Sequence, residues 1–200
     1  NLTDDRMRHA KSGQWWAENP QRALANNSVC YTEKPDMGVF LREWTALYES
    51  RSGERGIFNR EAAKHMVPER RDSEHDFGCN PCSEIILRPK QFCNLSEAVC
   101  RESDTLADIR NKVEIATIIG TLQSTLTDFR YLSPAWKRNT EEERLLGVSL
   151  TGIMDCPAIM NASADDLEYL KAHAVSVNKK WAKKLGIPES AAITCVKPSG

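Results

Sequence analysis

The sequence predicts an α/β protein in which short strands alternate with long amphipathic helices, the order expected of parallel strand pairing. Three observations support this. Two long windows carry apolar residues at helical spacing, opened by capping boxes at Thr105-x-x-Asp108 and Ser163-x-x-Asp166. Short apolar runs, too brief for helices, stand before, between and after them. Gly and Pro punctuate the junctions, as at Pro89, Gly186 and Pro188.

Taken in order, residues 6–16 read as a helix, followed by a Pro-containing connection and a short strand over 28–31. After Pro35-Asp36, the spacing of Phe40, Leu41, Trp44, Leu47 and Tyr48 predicts a helix with an apolar face. Residues 50–56 form a polar turn, and Asn59 caps a short helix over 60–65. The charged, unpatterned stretch 67–76 reads as a solvated loop. Residues 84–87 read as a buried strand ended by Pro89, and 92–98 as a second extended segment. The Thr105 helix is expected to bury Leu106, Ile109, Val113, Ile118, Leu122, Leu126 and Phe129. A short helix covers 134–142. A strand follows over 145–153, where Gly147 and Gly152 permit close approach. The Ser163 helix presents Leu167, Leu170, Ala174, Val177, Trp181 and Leu185, and stops at Gly186. A final strand covers 191–196.

Two hundred residues suit one domain with a substantial core. A net charge of −1 gives no electrostatic reason to expect nucleic acid or anionic membrane as partner. No apolar run approaches the roughly 20 residues that span a bilayer. The seven cysteines are odd in number and most lie within periodic elements, which favours a reducing cytoplasm over a disulfide scaffold. Asn1 and Gly200 read as cuts within a longer chain, so residues 1–200 are expected to be an internal segment.

The stretch Gly78-Cys79-Asn80-Pro81-Cys82-Ser83-Glu84-Ile85-Ile86-Leu87 sets an amide, a thiol and a carboxylate at alternate positions. In an extended segment Asn80, Cys82 and Glu84 would face one point. Cys93 follows in Gln91-Phe92-Cys93-Asn94-Leu95-Ser96 and can return alongside if the chain reverses. Each residue also has an ordinary use: Cys82 as a small hydrophobe, Glu84 as a solvated strand edge, Asn80 as a turn former before proline. A zinc site from Cys79, Cys82, Cys93 and Cys100 fails on spacing, and no metal is expected. Cys79-x-x-Cys82 leads into a strand instead of opening a helix, unlike a thioredoxin-type pair.

These residues resemble the active-site finger loop of ribonucleotide reductases, in particular the adenosylcobalamin-dependent (class II) ribonucleoside-triphosphate type. The Cys82–Cys93 interval matches that type, whereas many iron-dependent class I large subunits have a longer one. Trp15-Trp16-Ala17-Glu18-Asn19-Pro20-Gln21-Arg22-Ala23-Leu24-Ala25-Asn26-Asn27-Ser28, Gly56-Ile57-Phe58-Asn59-Arg60 and Cys195-Val196-Lys197-Pro198-Ser199-Gly200 extend the resemblance along most of the chain.

The resemblance implies part of a ten-stranded α/β barrel with the finger loop at its centre, and a thiyl-radical reduction of ribonucleoside triphosphates. Cys82 would carry the radical, Glu84 would be the base on the 3′-hydroxyl, and Asn80 would hold the ribose. Cys93 would be half of the reducing dithiol, its partner lying outside this segment. Asn26, Asn27 and Ser28 would approach the substrate; Pro198, Ser199 and Gly200 would bind its phosphates. Adenosylcobalamin is the implied cofactor, its pocket mostly outside this chain. A thioredoxin-type or dithiol reductant and dNTP effectors are the implied partners, the effectors bound elsewhere. A class I large-subunit fragment and a non-catalytic nucleotide-binding fragment are the alternatives.

Overall fold

The computed structural model describes residues 4–51 and 55–199. Their architecture is mixed α/β. In the first part, β1 (Ser28–Tyr31) pairs in parallel with β2 (Gly56–Asn59), in the register Ser28↔Gly56 to Tyr31↔Asn59. The crossover is α3 (Met37–Ser50), whose first turn is capped by the Asp36 carboxylate. Part of the predicted polar turn, 52–54, lies outside the described residues. Asn59 ends β2 and caps α4 (Arg60–Met66) through its side-chain oxygen, as the sequence predicts. The helix predicted over 6–16 is instead cut into α1 (Asp5–Arg8) and α2 (Trp15–Glu18). Gly13, at φ +63°, adopts the left-handed conformation between them.

The predicted apolar face of α3 does not form a core. Leu41, Trp44 and Tyr48 are exposed, and the buried residue of this helix is Glu43. Its carboxylate accepts from Arg8 Nε at 2.8 Å and from Arg55 Nε and Nη2 at 3.0 and 3.2 Å. A buried carboxylate persists only when so compensated. The ion pairs therefore decide which side of α3 turns inward.

A short antiparallel hairpin follows, β3 (Gly78–Cys79) with β4 (Ile86–Leu87). The second parallel pair is β5 (Asn94–Val99) with β6 (Leu146–Thr151). Residues 191–196 run beside β6, bonded through Leu146 N to Ala192 O, Val148 N to Ile193 O and Cys195 N to Val148 O. They are extended but join through a single bridge, Val148↔Thr194, instead of a full strand. Among the described residues the strands thus make three separate pairs, and they do not close a ten-stranded barrel.

α5 (Leu106–Gln123) and α8 (Ala164–Leu185) pack on one another, and α5 also lies on β5 and β6. Both capping boxes form as predicted, and Gly186 ends α8 at φ +67°. The main core joins Ala98, Ile109, Val113, Leu146, Val148 and Leu170 with their neighbours. α5 buries Ile109 and Val113 as the sequence predicts, but toward its end the inward residues differ: Leu122, and Leu126 beyond the helix, are exposed, while Thr117 and Thr121 are buried. Each of these threonines donates its hydroxyl to the carbonyl four residues back, at 2.7 Å, so neither is buried unsatisfied. Gly120 sits over Leu146, where an added Cβ would lie 3.4 Å from Leu146 Cδ2. Small and self-satisfied residues let the helix approach the sheet closely. α6 (Pro134–Glu143) and a single turn, α7 (Pro157–Met160), complete the helices. No helix of the described residues is long and apolar enough to cross a membrane.

The segment 67–76 is more than a solvated loop. Arg71 is buried and grips Glu143 with two bonds, Nε to Oε1 at 3.0 Å and Nη2 to Oε2 at 2.9 Å. Its Nη1 donates to Ile86 O at 2.9 Å, and its guanidinium lies 4.6 Å from the Phe77 ring centroid. Gln91 adds a bond to the same Glu143 carboxylate. The base of the β3–β4 hairpin is therefore held by a charged network.

Candidate active site

The hairpin between β3 and β4 carries the residues that the motif singles out. Asn80, Pro81, Cys82 and Ser83 form a tight turn closed by Ser83 N donating to Asn80 O at 3.0 Å. Asn before Pro at the first corner position is a favoured turn sequence. Asn80 closes the loop again: its N–H donates to Ile85 O at 3.1 Å, and its side-chain oxygen accepts from Ile85 N at 3.0 Å. Ser83 takes φ +63°. The segment is thus bent, and the alternation expected of an extended chain does not align Asn80, Cys82 and Glu84. Proline's fixed φ and the Asn80 bonds favour a turn over a strand here. Cys82 stands exposed at the corner.

Glu84 follows the turn, near enough to two thiols, Cys93 and Cys195, for its charge to act on both. One of its carboxylate oxygens, Oε2, is buried and has no hydrogen-bond partner among the described residues. Cys93, just before β5, and Cys195 pack against the same small core of Ile85, Leu145 and Ala191. Burial pushes the Cys93 thiol above its ordinary range and the Glu84 charge adds to that, while its own backbone and Lys197 pull the other way. Cys195 is pushed up to about 11, first by burial and then by Glu84, with Lys197 opposing. Both thiols are therefore held protonated at neutral pH, which suits hydrogen donation better than thiolate attack.

Gly147 makes this grouping possible. A Cβ there would stand 2.5 Å from Leu95 Cδ2, 2.8 Å from Ile85 Cδ1 and 3.2 Å from Cys195 Sγ. The absent side chain lets the hairpin's Ile85 and the Cys195 segment meet on the β6 surface. This close approach is the one expected of Gly147 from the sequence.

The other predicted residues take separate places. Asn26, which precedes β1, donates its amide to Pro81 O at 2.9 Å, directly behind Cys82. Asn27 donates to Met7 O at 2.6 Å, and its carbonyl accepts from Gly56 N at 3.0 Å. Ser28 opens β1 opposite Gly56. Pro198 and Ser199 are exposed at the C-terminal ends of β5 and β6. Thr151 Oγ1 donates to Ser199 O at 2.9 Å, Lys197 N donates to Ser149 Oγ at 3.2 Å, and the Ser199 hydroxyl is held by the Glu97 carboxylate. Gly200 lies outside the described residues. The four cysteines weighed for zinc are dispersed: Cys79 packs near Phe58 and Phe77, Cys93 near Ile85, and Cys100 in the main core, while Cys82 is exposed.

Sequence reasoning did not foresee Cys195 beside Cys93, nor the Arg71–Glu143 grip. The first joins distant segments that only the folded chain brings together, and no sequence signal marks it. The second joins residues 72 positions apart and leaves no local pattern.

No family model matches the chain. A curated relative from Dictyostelium discoideum, named a probable adenosylcobalamin-dependent ribonucleoside-triphosphate reductase, is 27% identical over 195 residues. That alignment covers 91% of this chain and 24% of the relative, so the chain spans about a quarter of the relative's length. A crystal structure of a B12-dependent (class II) ribonucleotide reductase shares the fold, with a TM-score of 0.68 at 20% identity over 98% of this chain and 31% of that one. The finger-loop resemblance, the sequence relative and the shared fold therefore agree: this chain is similar, over nearly all its length, to part of the adenosylcobalamin-dependent ribonucleotide reductases.

Proposed function

We propose that this chain is a segment of the catalytic barrel of a class II enzyme that reduces ribonucleoside triphosphates to 2′-deoxyribonucleoside triphosphates in the cytoplasm. The observation that carries the proposal is the division of the hairpin. Cys82 is exposed at the turn, while a Glu84 carboxylate oxygen is buried and its charge acts on Cys93. A radical thiol, a base and a reducing thiol thus share one short loop and the strand end next to it.

Exposed Cys82 is the thiol of this segment that bound adenosylcobalamin would reach. When bound, the cofactor supplies the radical equivalent that oxidises the thiol. The Cys82 thiyl then removes the 3′ hydrogen of the ribose and returns it at the end. Glu84, with an unpartnered carboxylate oxygen, accepts the 3′-hydroxyl proton. A base so placed contributes roughly 10²–10⁴-fold. The 2′-hydroxyl leaves as water with a proton from one of two thiols, and C2′ gains the hydrogen of the other. Glu84 returns its proton to the 3′ oxygen, and the thiol pair, one of them Cys93, closes to a disulfide as it gives up two electrons. A dithiol or thioredoxin-type protein reopens it.

Asn80 spends its side-chain oxygen on Ile85 N, which leaves its amide N–H groups for the ribose hydroxyls. Pro198, Ser199 and Gly200 are the proposed phosphate contacts, and Asn27 and Ser28 line the approach, with Asn26 set behind the turn on Pro81 O. For Ser199 this requires exchanging the Glu97 carboxylate for phosphate as partner.

The test is deoxynucleotide formation by the enzyme that carries this segment, with ribonucleoside triphosphate, adenosylcobalamin and dithiothreitol. Turnover should require the cofactor, and Cys82→Ser should abolish it while nucleotide binding stays nearly intact, because a serine O–H is too strong to yield the radical. Turnover by the serine variant, or turnover without adenosylcobalamin, would overturn the proposal.

A further inference from the structure

We infer that Asn26 is a positioning residue for Cys82, acting through the peptide group that joins Pro81 to Cys82. The turn is closed upon itself by the bonds of Asn80 with Ser83 and Ile85 and by the 3.4 Å contact of Cys79 Sγ with Ser83 Oγ. Among the described residues, the hydrogen bond that ties positions 80–83 to the rest of the protein is the one from Asn26 Nδ2 to Pro81 O, at 2.9 Å and across 55 residues of sequence.

The placement of both partners matters. Pro81 O belongs to the same planar peptide as Cys82 N, so a donor fixed at that oxygen restrains the plane from which the Cys82 side chain departs. Asn26 is itself anchored. The next residue, Asn27, accepts from Gly56 N at 3.0 Å, and Ser28 then enters the parallel β1–β2 ladder. The turn tip is thereby referenced to a strand pair, while its base is referenced to Arg71. Proline contributes by having no N–H and a fixed φ, so the tip has few ways to relax other than rotation of this peptide. A reaction that moves one hydrogen between sulfur and a ribose carbon depends on placement within about an ångström.

The inference about turnover rests on the reductase reading, but the inference about geometry does not. Two measurements keep them apart. Asn26→Asp retains shape, removes the donor and sets a carboxylate against the Pro81 carbonyl; Asn26→Ala removes the group altogether. In both variants, hydrogen–deuterium exchange at the amides of Ser83 and Ile85, which are bonded to Asn80, should speed up roughly fivefold, as a loosening worth one ordinary hydrogen bond implies. Exchange in β5 and β6 should be unchanged, which also reports that the variants are folded. In the assembled enzyme both variants should lower kcat at least tenfold with the nucleotide KM within twofold of wild type. Unchanged exchange at the turn would overturn the positioning role whether or not the enzyme is a reductase. A raised KM with unchanged kcat would instead make Asn26 a substrate contact and overturn it as well. If exchange responds but no reductase activity exists even in the wild type, the reductase reading fails and the structural link stands.

Discussion

Removing the Arg71 guanidinium should be the most damaging single change near the hairpin. Arg71→Met keeps much of the side-chain volume but deletes both bonds to Glu143 and the bond to Ile86 O. The side chains of Arg71 and Glu143 are only 2% and 7% exposed, so water cannot replace what is lost. Glu143 would remain as a buried carboxylate with Gln91 as its chief partner. Breaking a buried pair by removing one partner costs about 3–5 kcal/mol. For a chain of this size, 1 kcal/mol moves Tm by about 2–4 °C, so a fall of roughly 6–20 °C is expected. Thermal unfolding followed by far-ultraviolet circular dichroism measures it. Arg71→Met combined with Glu143→Leu should recover most of the loss, because the orphaned charge is gone. A single variant within 1 kcal/mol of wild type, or a double variant no better than the single, would refute the reasoning.

Three further outcomes are expected. In the assembled enzyme, Cys93→Ser should still allow 3′ hydrogen chemistry but yield substrate breakdown and enzyme inactivation; repeated deoxynucleotide synthesis with dithiothreitol would remove Cys93 from the reducing pair. Cys195, with its pKa raised from 9.0 to about 11, should be alkylated slowly by iodoacetamide at pH 8 and faster as pH climbs through 11. Because the folded thiol ionises later than the unfolded one, its contribution to stability is complete below pH 9 and lost as pH rises toward 11, which denaturant titrations across that window can follow. Gly152→Ala should destabilise the fold by about 1–3 kcal/mol, since the residue sits at φ +72° and the new Cβ would meet Cys100 O at 2.5 Å; a melting curve unchanged from wild type would contradict this.

Features decided by neighbours in sequence were legible in advance. The Thr105 and Ser163 boxes bond within three residues, and α5 and α8 begin where those boxes stand. Gly186 stops α8 by a conformation that glycine adopts freely. The turn at Asn80 is local as well: its Asn-Pro signal and two bonds to Ile85 close a loop where an extended run was expected. Tertiary structure decided the rest. The inward side of α3 was set by Arg8 and Arg55 meeting Glu43, and that of the later part of α5 by Gly120 lying over Leu146 and Thr121 meeting Asn178 of α8. Cys195 joined Cys93 and Glu84 only because Gly147 lets separate segments touch. Capping and turn formation act over a few residues of chain, so the sequence by itself determined where elements start and stop. Which thiols, carboxylates and guanidinium groups come together depends on segments brought within contact across 12 to more than 100 residues, as for Arg55 with Glu43 and Ser199 with Glu97, and only the folded chain supplies those distances.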